Sequence, residues 1–413
     1  MESSSPTSSK YNFFSRTFRA FKYRDFRLVW IGAYTSTTGS FMQQVAQSWL
    51  ILSLTNSEFY LGLISFLAQL PLMLFSLVGG VLADRIDRRR LLLFSQVVQM
   101  TSAFILTALV WVGWIEVWHF LVLAFVTGMG QAFGGPAYQA LVPGLVERRD
   151  VPNAIALNSI QFNLARVTGP LLASAVLLAS GAVVCFFLNG VSFLAVIVTL
   201  LLIQARFVAP KTSESMVSGI KQGIRYVRGK GSLSQLTILG FITGFCGVPV
   251  ITLLPAFARN VFFLDEVGFA QMSTIMGAGS VTGALIYAGM SNWGQRGRTT
   301  LWAQVIYSML LLTFALSSSL LLSYLMLYLA GLCLITLFAS INSLVQLATE
   351  DAMRGRVMSI FFLAFRSGMP LGDLLAGFIA SRSTPGLAIG LLAVLLGTVS
   401  IGFLVSNSGV KKL

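Results

Sequence analysis

Gly79-Gly80-Val81-Leu82-Ala83-Asp84-Arg85-Ile86-Asp87-Arg88-Arg89-Arg90 connects two long apolar runs. The adjacent glycines let their helix approach a neighbour closely. An acid at a helix end beside four arginines makes a charge network that can exchange partners. Such a loop belongs at a membrane surface, because a run of about 20 mostly apolar residues is what crosses a bilayer. Outward from it, similar runs recur along the whole chain. They predict twelve helical spans, at about 26–53, 59–83, 90–112, 118–142, 153–178 and 182–204, then about 233–261, 267–290, 299–318, 320–347, 357–381 and 384–406.

Composition points the same way. Of 413 residues, 56% are hydrophobic and 10% charged, where a globular domain carries about 25% charged residues. Mean hydropathy is +0.81. A chain so poor in charge cannot wet the surface of a soluble fold this long. A soluble enzyme, a nucleic-acid-binding domain and a single-pass receptor are thereby excluded. The net charge of +14 is therefore read by its position relative to the membrane. Of the 28 Lys and Arg, 24 fall on one side: before the first span, after the even-numbered spans, in the central stretch and at the tail. Arg259 and Arg382 fall on the other side, and Arg166 and Arg366 lie within spans. Positive loops stay inside, so both termini are expected in the cytoplasm.

The polar stretch 205–231 divides the spans into two sets of six. Val217, Ile220, Ile224 and Val227 recur there at helical spacing, with Lys221, Arg225 and Arg228 mostly opposite. That pattern predicts an amphipathic helix in the membrane interface. The expected organisation is a cytoplasmic N-terminal segment (1–25), a six-helix half (26–204), a cytoplasmic linker (205–231), a second six-helix half (232–406) and a cytoplasmic tail (407–413). No cleavable signal peptide is expected, since the first 24 residues lack an apolar core. Cys185, Cys246 and Cys333 are far apart within apolar runs, and His119 is the lone histidine. Neither disulfides nor a metal site is expected from them.

The halves resemble each other. Arg166 precedes Pro170 by four residues in the fifth span, and Arg366 precedes Pro370 by four in the eleventh. Acidic and basic loops lie upstream of both, Glu147-Arg-Arg-Asp150 and Glu350-Asp-Ala-Met-Arg-Gly-Arg356. Duplicated helical halves are the plan of secondary transporters, with the substrate site between them near the midplane.

With these features in place, the loop after the second span resembles the signature G-x-L-x-D-R-x-G-R-R of the major facilitator superfamily, with Asp87 where Gly is usual. Further segments are similar to a bacterial exporter branch that includes enterobactin-type siderophore and macrolide exporters. They are Lys22-Tyr-Arg-Asp-Phe-Arg-Leu-Val-Trp30, Gly135-Pro-Ala-Tyr-Gln-Ala-Leu-Val-Pro143, Asn153-Ala-Ile-Ala-Leu-Asn-Ser159 and Arg354-Gly-Arg-Val-Met-Ser359. Gly169-Pro170 resembles part of the antiporter motif of the fifth span. The resemblance implies an all-α membrane protein of twelve helices in two pseudo-symmetric halves. It also implies proton-coupled export of a small amphipathic compound, such as a drug or siderophore, across a bacterial plasma membrane. Uptake symport and lipid flipping by the same fold are the alternatives. The expected partners are a small-molecule substrate, the proton gradient and the bilayer, with no nucleic acid, no cofactor and a monomeric state.

Candidate site residues follow from what the membrane makes costly. Ionisable groups inside spans usually face a cavity or mark a function. Arg166 and Arg366 are expected to line a central cavity from both halves and to bind an anionic or catechol-like group. Asp373, seven residues beyond Arg366, is the candidate proton carrier. In the first span Ser36, Ser40, Gln43, Gln44 and Gln47 form one polar stripe, expected to line the pathway or bond a neighbouring helix. Gln131, Asn163 and Asn342 are further cavity candidates, and Gln69, Tyr138 and Gln346 are weaker ones. The gating network is expected from Gly80, Asp84, Arg85, Arg88 and Arg89, with Asp84 meeting Arg354 and Arg356 at the start of the eleventh span in an outward-open state. No carboxylate dyad, zinc helix or His-paired nucleophile is found in the sequence, so an enzyme is not expected.

Overall fold

The computed structural model describes residues 18–203, 216–289, 296–406 and 408–411, without the side chains of 76–81, 83–85, 216–220 and 296. The described residues are almost wholly helical. The first half contains α1 (Arg24–Thr55), α2 (Glu58–Arg85), α3 (Arg88–Val112), α4 (Val117–Leu141), α5 (Val151–Ser180) and α6 (Ala182–Leu202). The short α7 (Met216–Gly229) leads to the second half. There follow α8 (Gly231–Ile242), α9 (Pro249–Asn260), α10 (Glu266–Gly289), α11 (Arg296–Leu316), α12 (Leu320–Leu347), α13 (Arg354–Arg382) and α14 (Pro385–Val405).

Local chemistry sets the helix ends. Asn56 takes the left-handed conformation that closes α1, with φ of 49°. Asp87 accepts from the Arg89 N–H and caps α3, which gives the acid in the Gly position of the loop motif a structural task. Glu116 and His119 cap α4 reciprocally. Ten helical segments among the described residues are long and apolar enough to cross a membrane. The other two spans, α1 and α10, are long enough at 32 and 24 residues. Their many Ser, Thr, Gln and Gly residues hold their hydropathy down.

One span departs from its sequence reading. The seventh, expected as one helix over 233–261, is two helices joined by a π-helical turn over Thr243–Gly247. Pro249 has no N–H to donate to the preceding turn, and wide turns of this kind accommodate the missing bond. The Tyr307 hydroxyl donates to the Gly247 carbonyl at 2.7 Å and holds the turn in place. The linker contains a helix. Val227 is buried, Gly223 lies against Ile360 and Arg356 of α13, and Ile224 stays exposed, while the side chains of Val217 and Ile220 lie outside the described residues.

Across the halves, α2 packs on α13 and α5 packs on α10. These crossings are close. A Cβ on Gly62 would stand 2.3 Å from the Asp373 carbonyl oxygen, and one on Gly277 would stand 2.9 Å from that of Arg166. The apolar core is unevenly shared. One cluster joins both halves, running from Ile51, Leu52 and Phe120 to Leu253, Phe257 and Phe314. A second, around Phe26, Leu91, Leu141 and Leu200, belongs to the first half alone. A third, around Leu233, Leu301, Val357 and Phe361, belongs to the second half and α7. The shared cluster lies toward the ends of the helices opposite the basic loops. Those ends are called the far end below, and the ends bearing the arginine-rich loops the basic end.

Candidate functional site

Arg166 stands at the middle of α5 and Arg366 near the middle of α13. Each lies four residues before a proline that cannot donate to its carbonyl. Arg166 is half-exposed and Arg366 exposed. Neither has a hydrogen bond or ion pair to another described residue. Arg166 instead lies over the Phe162 ring at 5.3 Å, a cation–π contact. Ionisable groups at mid-span are costly in lipid and are usually turned to a cavity or a partner.

Asp373 has a different setting. It lies nine residues before Arg382, about 14 Å along α13 from the far end. It is 1% exposed. The Ser65 hydroxyl of α2 donates to its Oδ2 at 2.5 Å, and its Oδ1 has no hydrogen-bond partner among the described residues. Asp373 is thus buried where α2 of one half meets α13 of the other. The two were expected to share a cavity without touching; among the described residues no ion pair joins them.

Other bonds between the halves lie nearer the far end. Arg259 donates to the Leu52 carbonyl at 2.9 Å and to Asn56 Oδ1 at 2.6 Å. Asn260 donates to Glu58 Oε1 at 2.8 Å. Trp49 and Phe269 stack with ring centroids 6.3 Å apart. Arg259, assigned to the outer side by its place at the end of the seventh span, caps the end of α1 from the opposite half. Ser65, Asn260 and the glycines of the α2–α13 crossing were not picked out from sequence. The only available signal was Gly62 and Gly377 at small-residue positions facing a helix not yet identified.

The polar stripe of α1 divides. Ser36 is buried, Ser40 donates to the Ser36 carbonyl, and Gln43 Oε1 accepts from Asn189 of α6 at 2.7 Å. Gln44 is exposed and Gln47 half-buried. Part of the stripe binds helices together and part remains accessible. Asn163 donates to the Ser159 carbonyl while its Oδ1 is buried without a partner. Gln131 is exposed, and Asn342 accepts from Gln346. Tyr138 donates to Asn158 across α4 and α5.

At the basic end, the side chains of Gly80, Asp84 and Arg85 lie outside the described residues. Arg88 donates to the Ala140 carbonyl and Arg89 to those of Leu201 and Ile203. Both place positive charge on helix C-termini, where the macrodipole favours it. Arg354 pairs with Asp351, and Arg356 donates to Gln222 of α7. A carboxylate clasp holds each half. Asp150 receives Arg19, Lys22 and the Tyr23 hydroxyl, and Glu350 receives Lys230. The Lys22 bond, then that of Tyr23, holds the Asp150 carboxyl below its usual range. Lys230 does the same to Glu350.

Residues 15–411 match the family described as transmembrane secretion effector. The chain belongs to that family, within the major facilitator superfamily. Its relatives include the multidrug efflux pump Tap of Mycolicibacterium fortuitum, 25% identical over 91% of this chain and 94% of the relative. The staphyloferrin A transporter of Staphylococcus aureus is 25% identical over 83% and 86%. Macrolide efflux protein A of Streptococcus pyogenes is 22% identical over 87% and 91%. Among solved structures, the D-xylose-proton symporter superposes with a TM-score of 0.74 at 12% identity, over 94% of this chain and 99% of that one. The nucleoside transporter NupG gives 0.72 at 12% identity, over 92% and 98%. These likenesses establish the major facilitator fold, with which a twelve-helix count is consistent. The family and these structural neighbours are transporters, not enzymes.

Proposed function

We propose that this chain is a proton-coupled exporter of small amphipathic compounds, working by alternating access in a bacterial plasma membrane with both termini in the cytoplasm. On this orientation the basic end is cytoplasmic and the far end external. The reading is carried by one observation: a single core joins the halves at the far end, while each half keeps its own core at the basic end. That is the arrangement of a carrier open to the cytoplasm, with Arg166 and Arg366 reachable from that side. The named relatives, two of them efflux proteins, support the direction.

Asp373 supplies the coupling step. Sealed against Ser65 while the far end is closed, it gains water only when α2 and α13 part. A proton then loads from outside and is passed to water on the cytoplasmic side as the helices close and before the Ser65 contact re-forms, as substrate moves the other way. In the outward-open state Asp84 meets the start of α13 near Arg354 and Arg356 and holds the basic end shut. Ser40, Gln43, Gln47, Gln131, Asn163 and Asn342 supply polar groups to the pathway or its walls. The chain acts as a monomer.

The test is transport into inverted vesicles containing this chain, screened across siderophores, macrolides and amphipathic dyes with and without an uncoupler. Accumulation should collapse with the gradient. Accumulation indifferent to the uncoupler would sink the antiport reading, and absence of any flux would sink export.

A further inference from the structure

At the basic end of the first half, an open cavity of about 560 Å³ is lined by Arg88 at the start of α3, Ala140 at the end of α4, Arg148, and Val151 and Pro152 at the start of α5. Its walls come from one half only, so it lies apart from the contact between the halves. Arg88, expected in the gating network, is turned to its own half. Its Nη1 donates to the Ala140 carbonyl at 3.0 Å. Its Nε is buried with no hydrogen-bond partner. Nε and Nη2 form the edge by which a guanidinium grips two oxygens at once. That edge has no acceptor among the described residues.

The carboxylates near this cavity in the chain are committed elsewhere. Glu147 pairs with Arg149 at 2.8 Å, Asp150 takes Arg19 and Lys22, and Asp87 accepts the Arg89 N–H. Arg148 is exposed and has no hydrogen bond or ion pair among the described residues. Two guanidinia therefore border one cavity with no counter-charge assigned to them among the described residues. α5 starts there with no side-chain cap on its first N–H groups. The positive end of its dipole adds to the same potential. Val151 and Pro152 give the cavity an apolar wall as well.

We infer that this cavity is a phosphate site, gripping a phosphate ester between Arg88 and Arg148, whether as an anionic lipid headgroup or as a soluble phosphate ester. A phosphate has enough acceptor oxygens to meet the open Arg88 edge, Arg148 and the start of α5 together, where a carboxylate has only two. An occupant bonds the starts of α3 and α5 at once and so ties the basic end of the first half together. The site lies outside the transport pathway, and it stands whether or not the chain exports.

The test is binding to the full chain in phosphatidylcholine nanodiscs. One arm titrates glycerol 3-phosphate by calorimetry. The other includes phosphatidate in the disc and reads, by native mass spectrometry, its retention on the protein over phosphatidylcholine. Binding in at least one arm is expected, and the arm that responds names the source. Arg148→Gln should weaken that binding by about tenfold, as loss of a charge-assisted contact predicts, and Arg88→Gln by at least as much. Arg148 is exposed, so its variant should keep the fold even where that of Arg88 does not. Arg149→Gln removes the same charge from the adjacent residue, which does not line the cavity, and should leave binding within about twofold. Absence of binding in both arms overturns the inference. An equal loss in the Arg148 and Arg149 variants also overturns it, by reducing the effect to diffuse surface charge.

Discussion

The far end and the basic end of this molecule are built on different terms. At the far end the halves are fused by a shared apolar core, by Arg259 and Asn260 bonding to α1 and the start of α2, and by Ser65 on Asp373. At the basic end, each half closes on itself through its own core and its own carboxylate clasp. Water gives no hydrophobic drive between helices within lipid, so the far-end contact depends on close packing and on hydrogen bonds. Contacts of that kind can be exchanged at modest cost. The clasps instead tie each half to itself. The contrast teaches that motion should occur between the halves, with the far-end seam as the part that opens.

The largest effect that would break this comparison is at Asp373. Asp373→Asn keeps the shape of the seam but cannot carry charge. Gradient-driven transport should fall by roughly 10–100-fold, the scale of one lost charge-assisted interaction, while the variant still folds and inserts. Undiminished coupled transport by this variant would remove Asp373 from the mechanism.

Next is Gly62→Ala. Its Cβ would meet backbone of α13 that cannot rotate away. Overpacking of this kind costs about 1–3 kcal/mol, enough to shift the balance toward far-end opening by roughly tenfold. A cysteine at Asn56 in a chain freed of its native cysteines should then react faster with an external impermeant maleimide. Unchanged reactivity would mean that the α2–α13 crossing does not set the gate.

A smaller shift in the same direction is expected for Arg259→Ala, which, with Asn56 already replaced by the reporter cysteine, removes the remaining bond to the Leu52 carbonyl. At about 0.5–1.5 kcal/mol per net hydrogen bond, labelling at position 56 should rise by several-fold. A rise equal to that of Gly62→Ala would put polar bonds on a par with packing.

The smallest effect belongs to the basic end. Asp150→Asn should loosen the N-terminal segment and lower the unfolding midpoint slightly, with transport changed less than about twofold, as expected for pairs with exposed partners. The sign with pH is set by the lowered carboxyl. Its stabilisation is fully present above the usual carboxylate pKa of about 3.9 and is lost as pH falls through the lower folded value. The wild-type midpoint should therefore drop in that acid window, and the variant's should drop less. A large transport defect in Asp150→Asn would refute a clasp confined to its own half.

Much of this was legible in the chain itself. Span ends read from apolar runs lie within about three residues of the helix ends, because lipid demands an uninterrupted apolar length. The repeat was legible from Arg166-x-x-x-Pro170 and Arg366-x-x-x-Pro370. The break at Thr243–Gly247 was missed, although Gly244, Gly247 and Pro249 marked it, because apolarity continues through it. The apolar stripe of the linker was legible as a helix for the membrane interface, but not that Gly223 would rest on α13, because periodicity gives a helix its faces but not its neighbour.

What the sequence determined alone is a count and a set of costs: twelve spans, two like halves, one basic side, and three ionisable groups too expensive to be incidental. These follow from the energetics of single residues in lipid, which are local. Only the tertiary structure separated those three groups, leaving Arg166 half-exposed and Arg366 exposed and burying Asp373 against Ser65 of the other half. That division depends on which helix from the other half lies against α5 and α13. Periodicity along one helix cannot encode it, because the same polar face serves equally as a wall of water or as a contact with Ser65.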